Sequence, residues 1–238
     1  MKFFASLSSH PGKMGMYYYS KFFEYYKFSG QYEALSVNDV NQLKIHLSNN
    51  ILSGINISSP FKRSVLKYLD QMDPDVVNYE TCNTIKFLNG KLHGFNTDLL
   101  GVKKIVSNIS KKDFVLILGN GAMGKMFGKF LDAKTIKHMI VSPSLSNWVD
   151  RHHQCDIIIN CTTLGTSSNQ SPINKIGRAH TVYDLTFNGT ELKKISSSIK
   201  YLSGIYFYKY SFLTQFAIHT GITPNPEIFD SFTSLRVE

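Results

Sequence analysis

Apolar positions change their period along this chain, and the change divides it into three stretches. The first runs to about residue 100 and mixes short strands with short helices. Lys2–Leu7 predicts a strand. Met16–Tyr26 carries aromatic residues at helical spacing and predicts a helix. Gln31–Ser36 predicts a second strand. Val37–Ser48, with Leu43 and Ile45–Leu47 on a helical pattern, predicts a second helix with Asn38 as its candidate cap. Ile51–Ile57 predicts a third strand, ending in Ser58-Ser59-Pro60, and a helix is expected from Phe61 to about Gln71. Thr84–Leu88 and Lys91–Phe95 flank Asn89-Gly90, a strong short-range hairpin signal.

From about residue 112 the pattern changes. Phe114–Leu118 is a continuous apolar run, as expected for a strand buried on both faces. Ala122–Leu131 predicts a helix. His138–Val141, Asp156–Asn160 and Thr181–Leu185 are further short apolar strands. Strand and helix in this rhythm predict a parallel, doubly wound sheet. From about residue 204, Phe212–His219 predicts a helix closed by Thr220-Gly221, with Gly221 placed as a C-terminal cap.

Composition narrows the classes. The 238 residues suffice for one large domain or two modest ones. No apolar run approaches the roughly 18 to 20 residues of a membrane span. Met1–Leu7 is too short for a signal-peptide core, so a cytoplasmic protein is expected. Cys82, Cys155 and Cys161 lack zinc-like or disulfide-scaffold spacing and are expected as reduced thiols, with no metal. The net charge is +9, but Lys103-Lys104, Lys111-Lys112 and Lys193-Lys194 are only pairs. The charge suits phosphorylated or carboxylated small molecules, and no nucleic-acid or membrane partner is expected. The 17 Phe and 13 Tyr admit either a homodimer interface or aromatic core packing.

Gly119-Asn120-Gly121-Ala122-Met123-Gly124 is a complete GxGxxG between a buried strand and a helix, the context in which it binds dinucleotides. The first glycine makes the turn, the second lets backbone approach a pyrophosphate, and the third allows close helix–strand packing. The next strand ends in Ser142-Pro143-Ser144, without the acid that commonly holds an NAD ribose. That absence leans the expectation towards NADP, with NAD still open and Ser142 and Ser144 as candidate phosphate donors. Thr162, after the third strand of this stretch, completes the candidate cofactor set.

Three further patches put polar residues at the ends of strand-like runs: Gly54–Lys62 (GINISSPFK), Cys82-Asn83-Thr84, and Gly94–Gly101 (GFNTDLLG). In this order, followed by the Gly-rich turn, they resemble the shikimate dehydrogenase family, whose pattern is G-x-N-V-T-x-P-x-K, V-N-T, G-x-N-T-D-x-x-G, the nucleotide turn, D-x-x-Y and a C-terminal helix ending in T-G. The resemblance covers nearly the whole chain. It implies an α/β protein of two domains. The substrate domain would comprise residues 1–101 completed by 204–238, and a Rossmann-like domain would comprise 102–203, with the site in the cleft. It implies Lys62 and Asp98 as the catalytic pair, and Asn56, Ser58 and Asn83 as holders of the substrate's ring hydroxyls. The chemistry is coherent: a lysine ammonium can hydrogen-bond and protonate the oxygen that gains alkoxide character as hydride reaches a ketone, and a carboxylate can hold the lysine and share the relay.

The pattern breaks on the side expected to hold a substrate carboxylate. The family's S-x-S pair falls on Gly12 and Met14, or on Lys13 and Gly15. Ser6-Leu7-Ser8 has the right letters, but its offset would nearly delete the first strand. The D-x-x-Y tyrosine falls on Phe187, after Asp184. The glutamine of the C-terminal helix falls on Ser211, with Gln215 about one turn further on. Three readings stay open at this point: an NADP-dependent dehydrogenase of shikimate or a related ring compound, a dehydrogenase of a carboxylate-free cyclitol-like substrate, and a non-catalytic nucleotide-binding homologue.

Overall fold

The computed structural model describes residues 1–48, 51–142, 145, 154–164, 171–187 and 190–234. In chain order the elements are β1 (Lys2–Ser8), α1 (Met14–Tyr25), β2 (Gly30–Ser36), α2 (Val40–Leu47), β3 (Leu52–Ile57), a 3-10 turn (Leu66–Tyr68), β4 (Gln71–Met72), α3 (Pro74–Tyr79), β5 (Thr84–Leu88), β6 (Lys91–Phe95), α4 (Asp98–Val106), β7 (Val115–Leu118), α5 (Ala122–Ala133), β8 (His138–Val141), β9 (Ile157–Asn160), β10 (Thr181–Asp184), α6 (Thr190–Ile195), β11 (Lys200–Leu202), α7 (Gly204–Thr220) and α8 (Pro226–Ser234). They form two compact units, Met1–Thr97 with Ser211–Glu238, and Asp98–Tyr210. Among the described residues no helix is long and apolar enough to cross a membrane.

The first unit is built on a six-stranded mixed sheet in the order β2-β1-β3-β5-β6-β4. Because side chains alternate across a strand, Phe4, Ser6, Tyr32, Gly54 and Asn56, which share register positions, lie on one face. Ala5, Leu7, Ile55 and Ile57 lie on the other, where they join a core with Leu43 and Leu47 of α2. The first face packs an aromatic cluster. Tyr18 stacks on Phe229 at 4.2 Å, and Tyr19 stacks on Tyr32 at 4.0 Å. Phe212 and Phe216 of α7 meet Phe22 of α1 edge-on at 4.8 and 5.3 Å. Tyr18, Tyr19 and Phe22 of α1 and Phe212 and Phe216 of α7 are thus buried in the core.

Local chemistry explains most boundaries. The β5–β6 hairpin turns through Asn89 and Gly90 at φ 50° and 73°, the left-handed pair that an Asn-Gly turn supplies. Gly221 (φ 80°) donates its N–H to the Ala217 carbonyl and closes α7.

Three expectations are corrected. The cap of α2 is Asp39, not Asn38: Asp39 Oδ1 accepts from the N–H groups of Asn41 and Gln42, and a residue further back cannot reach those donors. Phe61–Gln71 is not an α-helix but a run of turns ending in the 3-10 turn. Its Lys62 carbonyl is taken by the Cys82 N–H at 2.9 Å, a non-local bond that competes with helix. The C-terminal helix starts at Gly204, eight residues before Phe212, because the close approach of Gly204 to the Leu185 and Thr186 carbonyls lets the chain turn into helix there.

The second unit is a five-stranded, all-parallel sheet in the order β11-β10-β9-β7-β8. The strand order reverses between β7 and β9, the topological switch point at which open α/β sheets bind ligands beyond their strand C-termini. Helix α5 returns the chain from β7 to β8. On one face Leu116, Leu118, Val141, Ile158 and Val182 form the core with Leu192.

Candidate functional site

The three polar patches of the first unit meet by strand register. Asn56 pairs with Thr84 across β3–β5, and Thr84 with Phe95 across β5–β6. Backbone bonds continue this beyond the strand ends, from Ile57 N–H to the Asn83 carbonyl at 2.8 Å and from Asn83 N–H to the Phe95 carbonyl at 3.1 Å. Asn83 is 3 % exposed, and its Oδ1 accepts from Thr97 N–H at 2.8 Å and Thr84 Oγ1 at 3.0 Å. Its Nδ2 donates to Thr97 Oγ1 at 3.0 Å and Ser211 Oγ at 3.4 Å. Thr97 and Ser211 share a further hydroxyl–hydroxyl bond of 3.0 Å.

Asn56 is the second node. Its Nδ2 donates to Tyr32 Oη at 2.9 Å and Gln215 Oε1 at 3.1 Å, with Tyr19 Oη at 3.4 Å. Its Oδ1 is therefore the acceptor for His219 Nε2, 2.8 Å away. Burial, with Lys86 contributing, pushes His219 from 6.5 down to about 3. The ring is therefore neutral, with its proton on Nε2, and among the described residues the buried Nδ1 has no hydrogen-bond partner. Nδ1 lies against Gly54, where a Cβ would collide with the ring. Burial likewise raises the Tyr32 phenol to about 12, so it stays protonated.

Lys62 is half-buried in the turns after β3, and Ser58 is exposed one residue beyond that strand. Asp98 is buried as the first residue of α4, where a carboxylate is favoured by the helix N-terminus.

In the second unit the Gly-rich turn follows β7 directly. Gly119 has φ 102°, a left-handed value that disfavours side chains. Gly121 caps α5 and, among the described residues, has no non-neighbouring atom within 4 Å of where a Cβ would stand, whereas a Cβ on Gly124 would strike the Gly119 carbonyl oxygen. Gly121 and Ala122 are exposed, and Asn120 and Met123 half-buried. This is a glycine-lined cradle at a helix N-terminus, and it fits a pyrophosphate. Thr162 packs its methyl group 3.1 Å from the Gly119 Cβ position. Ser142 is buried at the end of β8, while Ser144 lies outside the described residues. Phe187 is 40 % exposed and meets Tyr208 edge-on at 5.6 Å.

Residues 15–85 match the shikimate dehydrogenase substrate-binding domain. A shikimate dehydrogenase (NADP(+)) of Methanococcus maripaludis is 31 % identical over 206 residues, covering 72 % of this chain and 74 % of the relative. The chain belongs to the shikimate dehydrogenase family. An enzyme of the same name from Pyrococcus abyssi is 28 % identical over 200 residues, covering 74 % of this chain and 76 % of its own. The fold agrees. Shikimate dehydrogenase 1 of Peptoclostridium difficile superposes with a TM-score of 0.87 at 23 % identity, covering 100 % of this chain and 98 % of the other. The Thermus thermophilus shikimate 5-dehydrogenase in complex with NADP(H) and shikimate superposes at 0.83 and 21 % identity, covering 99 % of each chain.

Within this shikimate dehydrogenase family member, Asn83 and Ser211 share a hydrogen bond, and Asn56 lies in register beside them on β3 of the first unit. Gln215, set aside on linear alignment, bonds to Asn56. The signal was available in the sequence: Ser211, Gln215 and His219 recur every four residues, which places them on one face of a helix that is otherwise mostly apolar. Tyr32 was not expected there, because nothing local marks a strand tyrosine as polar-facing.

Proposed function

We propose that the chain catalyses reversible hydride transfer between NADP(H) and a cyclic hydroxy or keto substrate of the 3-dehydroshikimate/shikimate type. The observation that carries this is the convergence of Asn56, Asn83, Thr97 and Ser211 at the strand ends that also lead into Lys62 and Asp98. It is joined by the 31 % identity to a shikimate dehydrogenase (NADP(+)). NADP, when bound, supplies or accepts the hydride.

The chain's own residues do the rest. The Gly119–Gly124 turn presents backbone N–H groups to the cofactor phosphates, with Thr162 beside it and Ser142 and Ser144 after β8. Lys62 hydrogen-bonds the substrate oxygen, and its ammonium gives that oxygen a proton as charge develops. Asp98 holds and recharges the lysine, and the same groups run in reverse for alcohol oxidation. Asn56, Ser58, Asn83 and Ser211 orient the ring hydroxyls, with Phe187 standing where the family pattern has a tyrosine. The proposal extends to a cytoplasmic location and a homodimer.

The test is nicotinamide absorbance with NADP and NAD against shikimate, quinate and carboxylate-free cyclitols. Lys62-dependent turnover of shikimate with NADP supports the reading. Silence on shikimate and quinate, with Lys62-dependent turnover of a cyclitol, overturns it.

A further inference from the structure

Asp184 is a carboxylate that the hydride chemistry does not use. It ends β10, is 1 % exposed, and forms no ion pair among the described residues. A buried carboxylate is tolerated only if its lone pairs are filled, and here hydrogen bonds fill them. Oδ1 accepts from Asn160 Nδ2 at 2.9 Å, Thr186 N–H at 3.0 Å and Thr186 Oγ1 at 2.9 Å, and Oδ2 accepts from Tyr201 Oη at 2.8 Å. The Tyr201 phenol is pushed up by burial and by this carboxylate, so it remains a donor.

The bonds run on across the sheet. Asn160, itself 0 % exposed at the end of β9, accepts at Oδ1 from Thr162 N–H at 3.0 Å and Thr162 Oγ1 at 2.7 Å. Thr162 Oγ1 accepts from Leu164 N–H at 3.3 Å. The Thr162 methyl and the Cys161 carbonyl then close on Gly119, each within 3.3 Å of its Cβ position. One chain of contacts thus links β11, β10, β9 and β7, in their spatial order, and ends on the first glycine of the cofactor turn.

We propose that Asp184 is a positioning residue for the nicotinamide nucleotide, acting through Asn160 and Thr162 to hold the loop after β9 against the Gly119 turn. This rests on the functional reading above for the identity of the ligand. An asparagine at 184 can keep the acceptor for Asn160 and Thr186 and turn its amide N–H to the Tyr201 oxygen, so hydrogen bonding, rather than charge, is what the position needs.

The experiment measures NADPH binding by fluorescence and amide exchange at Thr162 and Leu164 in the intact protein, for wild type, Asp184→Ala, Asp184→Asn and Tyr201→Phe. Asp184→Ala is expected to weaken NADPH binding about tenfold or more and speed exchange at both amides by a similar factor, as stranded buried donors do. Its kcat at saturating NADP should stay within about threefold of wild type, because the proton-transfer groups are elsewhere. Asp184→Asn should restore both readouts to within about threefold. Tyr201→Phe, which removes one donor of four, should shift them in the Ala direction by less, and it carries the test if Asp184→Ala does not fold. Wild-type affinity in Asp184→Ala or Tyr201→Phe, or unchanged exchange at Thr162 and Leu164, overturns the inference. So does an asparagine as damaging as alanine. A wild-type protein that binds NADPH yet leaves shikimate untouched overturns the substrate reading alone.

Discussion

Lowering the pH should destabilise the first unit through one residue, His219. Its ring is 2 % exposed, and burial holds it near 3 against an ordinary 6.5. In the folded chain it is neutral, while in the unfolded chain it takes a proton as the pH falls through 6.5. The unfolded state therefore binds more protons between about 6.5 and about 3, and stability falls with pH across that window. The penalty is nearly absent at pH 7 and saturates below the folded value. With these two values, moving from pH 7 to about pH 5 costs about 2 kcal/mol at 1.36 kcal/mol per unit. In a chain of this size that is about 4–8 °C in Tm. The protein has 8 histidines, so the wild-type curve alone does not isolate the effect. The comparison is with His219→Gln, whose amide can still donate to Asn56 Oδ1 but does not titrate. Denaturant unfolding followed by far-UV circular dichroism at pH 7 and 5 should show wild type losing about 2 kcal/mol more than the variant. Parallel losses in the two proteins would refute the argument, because they would mean that His219 is protonated alike in both states.

Three further outcomes follow from the same geometry. Lys62→Ala should lower kcat by about 10²–10⁴-fold with folding unchanged, the usual cost of removing a positioned acid; stopped-flow nicotinamide absorbance reads it, and an unchanged kcat would remove Lys62 from the proton path. Gly124→Ala drives a methyl group into the Gly119 carbonyl, so it should cost about 1–3 kcal/mol of stability and weaken NADPH binding; calorimetric titration of the folded variant checks the second part. Phe212→Ala empties a fully buried site among Tyr18, Tyr19, Phe22, Phe216 and Phe229 and should cost about 3–5 kcal/mol in denaturant unfolding.

What the sequence disclosed, it disclosed where local chemistry decides. Asn89-Gly90 fixes its hairpin because left-handed φ values join the strands, and the Gly119–Gly124 turn is readable because Gly119 takes a left-handed φ and Gly124 has no room for a side chain. Helix α3 carries an equally local signal, an Asp73 cap followed by Pro74 at the first helical position. The Phe61–Gln71 error is of another kind. Its apolar spacing suits a helix, and only the bond from Cys82, twenty residues on, takes the Lys62 carbonyl out of one. The start of α7 is equally hidden, because only the close approach of Gly204 to the Leu185 and Thr186 carbonyls sets it.

The polar face of α7 shows why spacing within the motifs was not enough. Ser211 meets Asn83 and Thr97, while Gln215 and His219 meet Asn56. Each of these side chains is nine-tenths buried or more, so each has to find a partner inside the protein. Motifs read as separate strand-end patches therefore form two hydrogen-bonded groups, each closed by the same helix more than a hundred residues downstream. The Asn56 group accounts for Tyr32. Its ring fits because residue 15 is glycine, whose Cβ position lies 2.9 Å from that ring, and its hydroxyl takes the Asn56 amide proton. Gly15 thus makes room for a phenol on the sheet face that carries Asn56. The Asn56 amide thus takes a partner from β2 that no motif in the sequence marks.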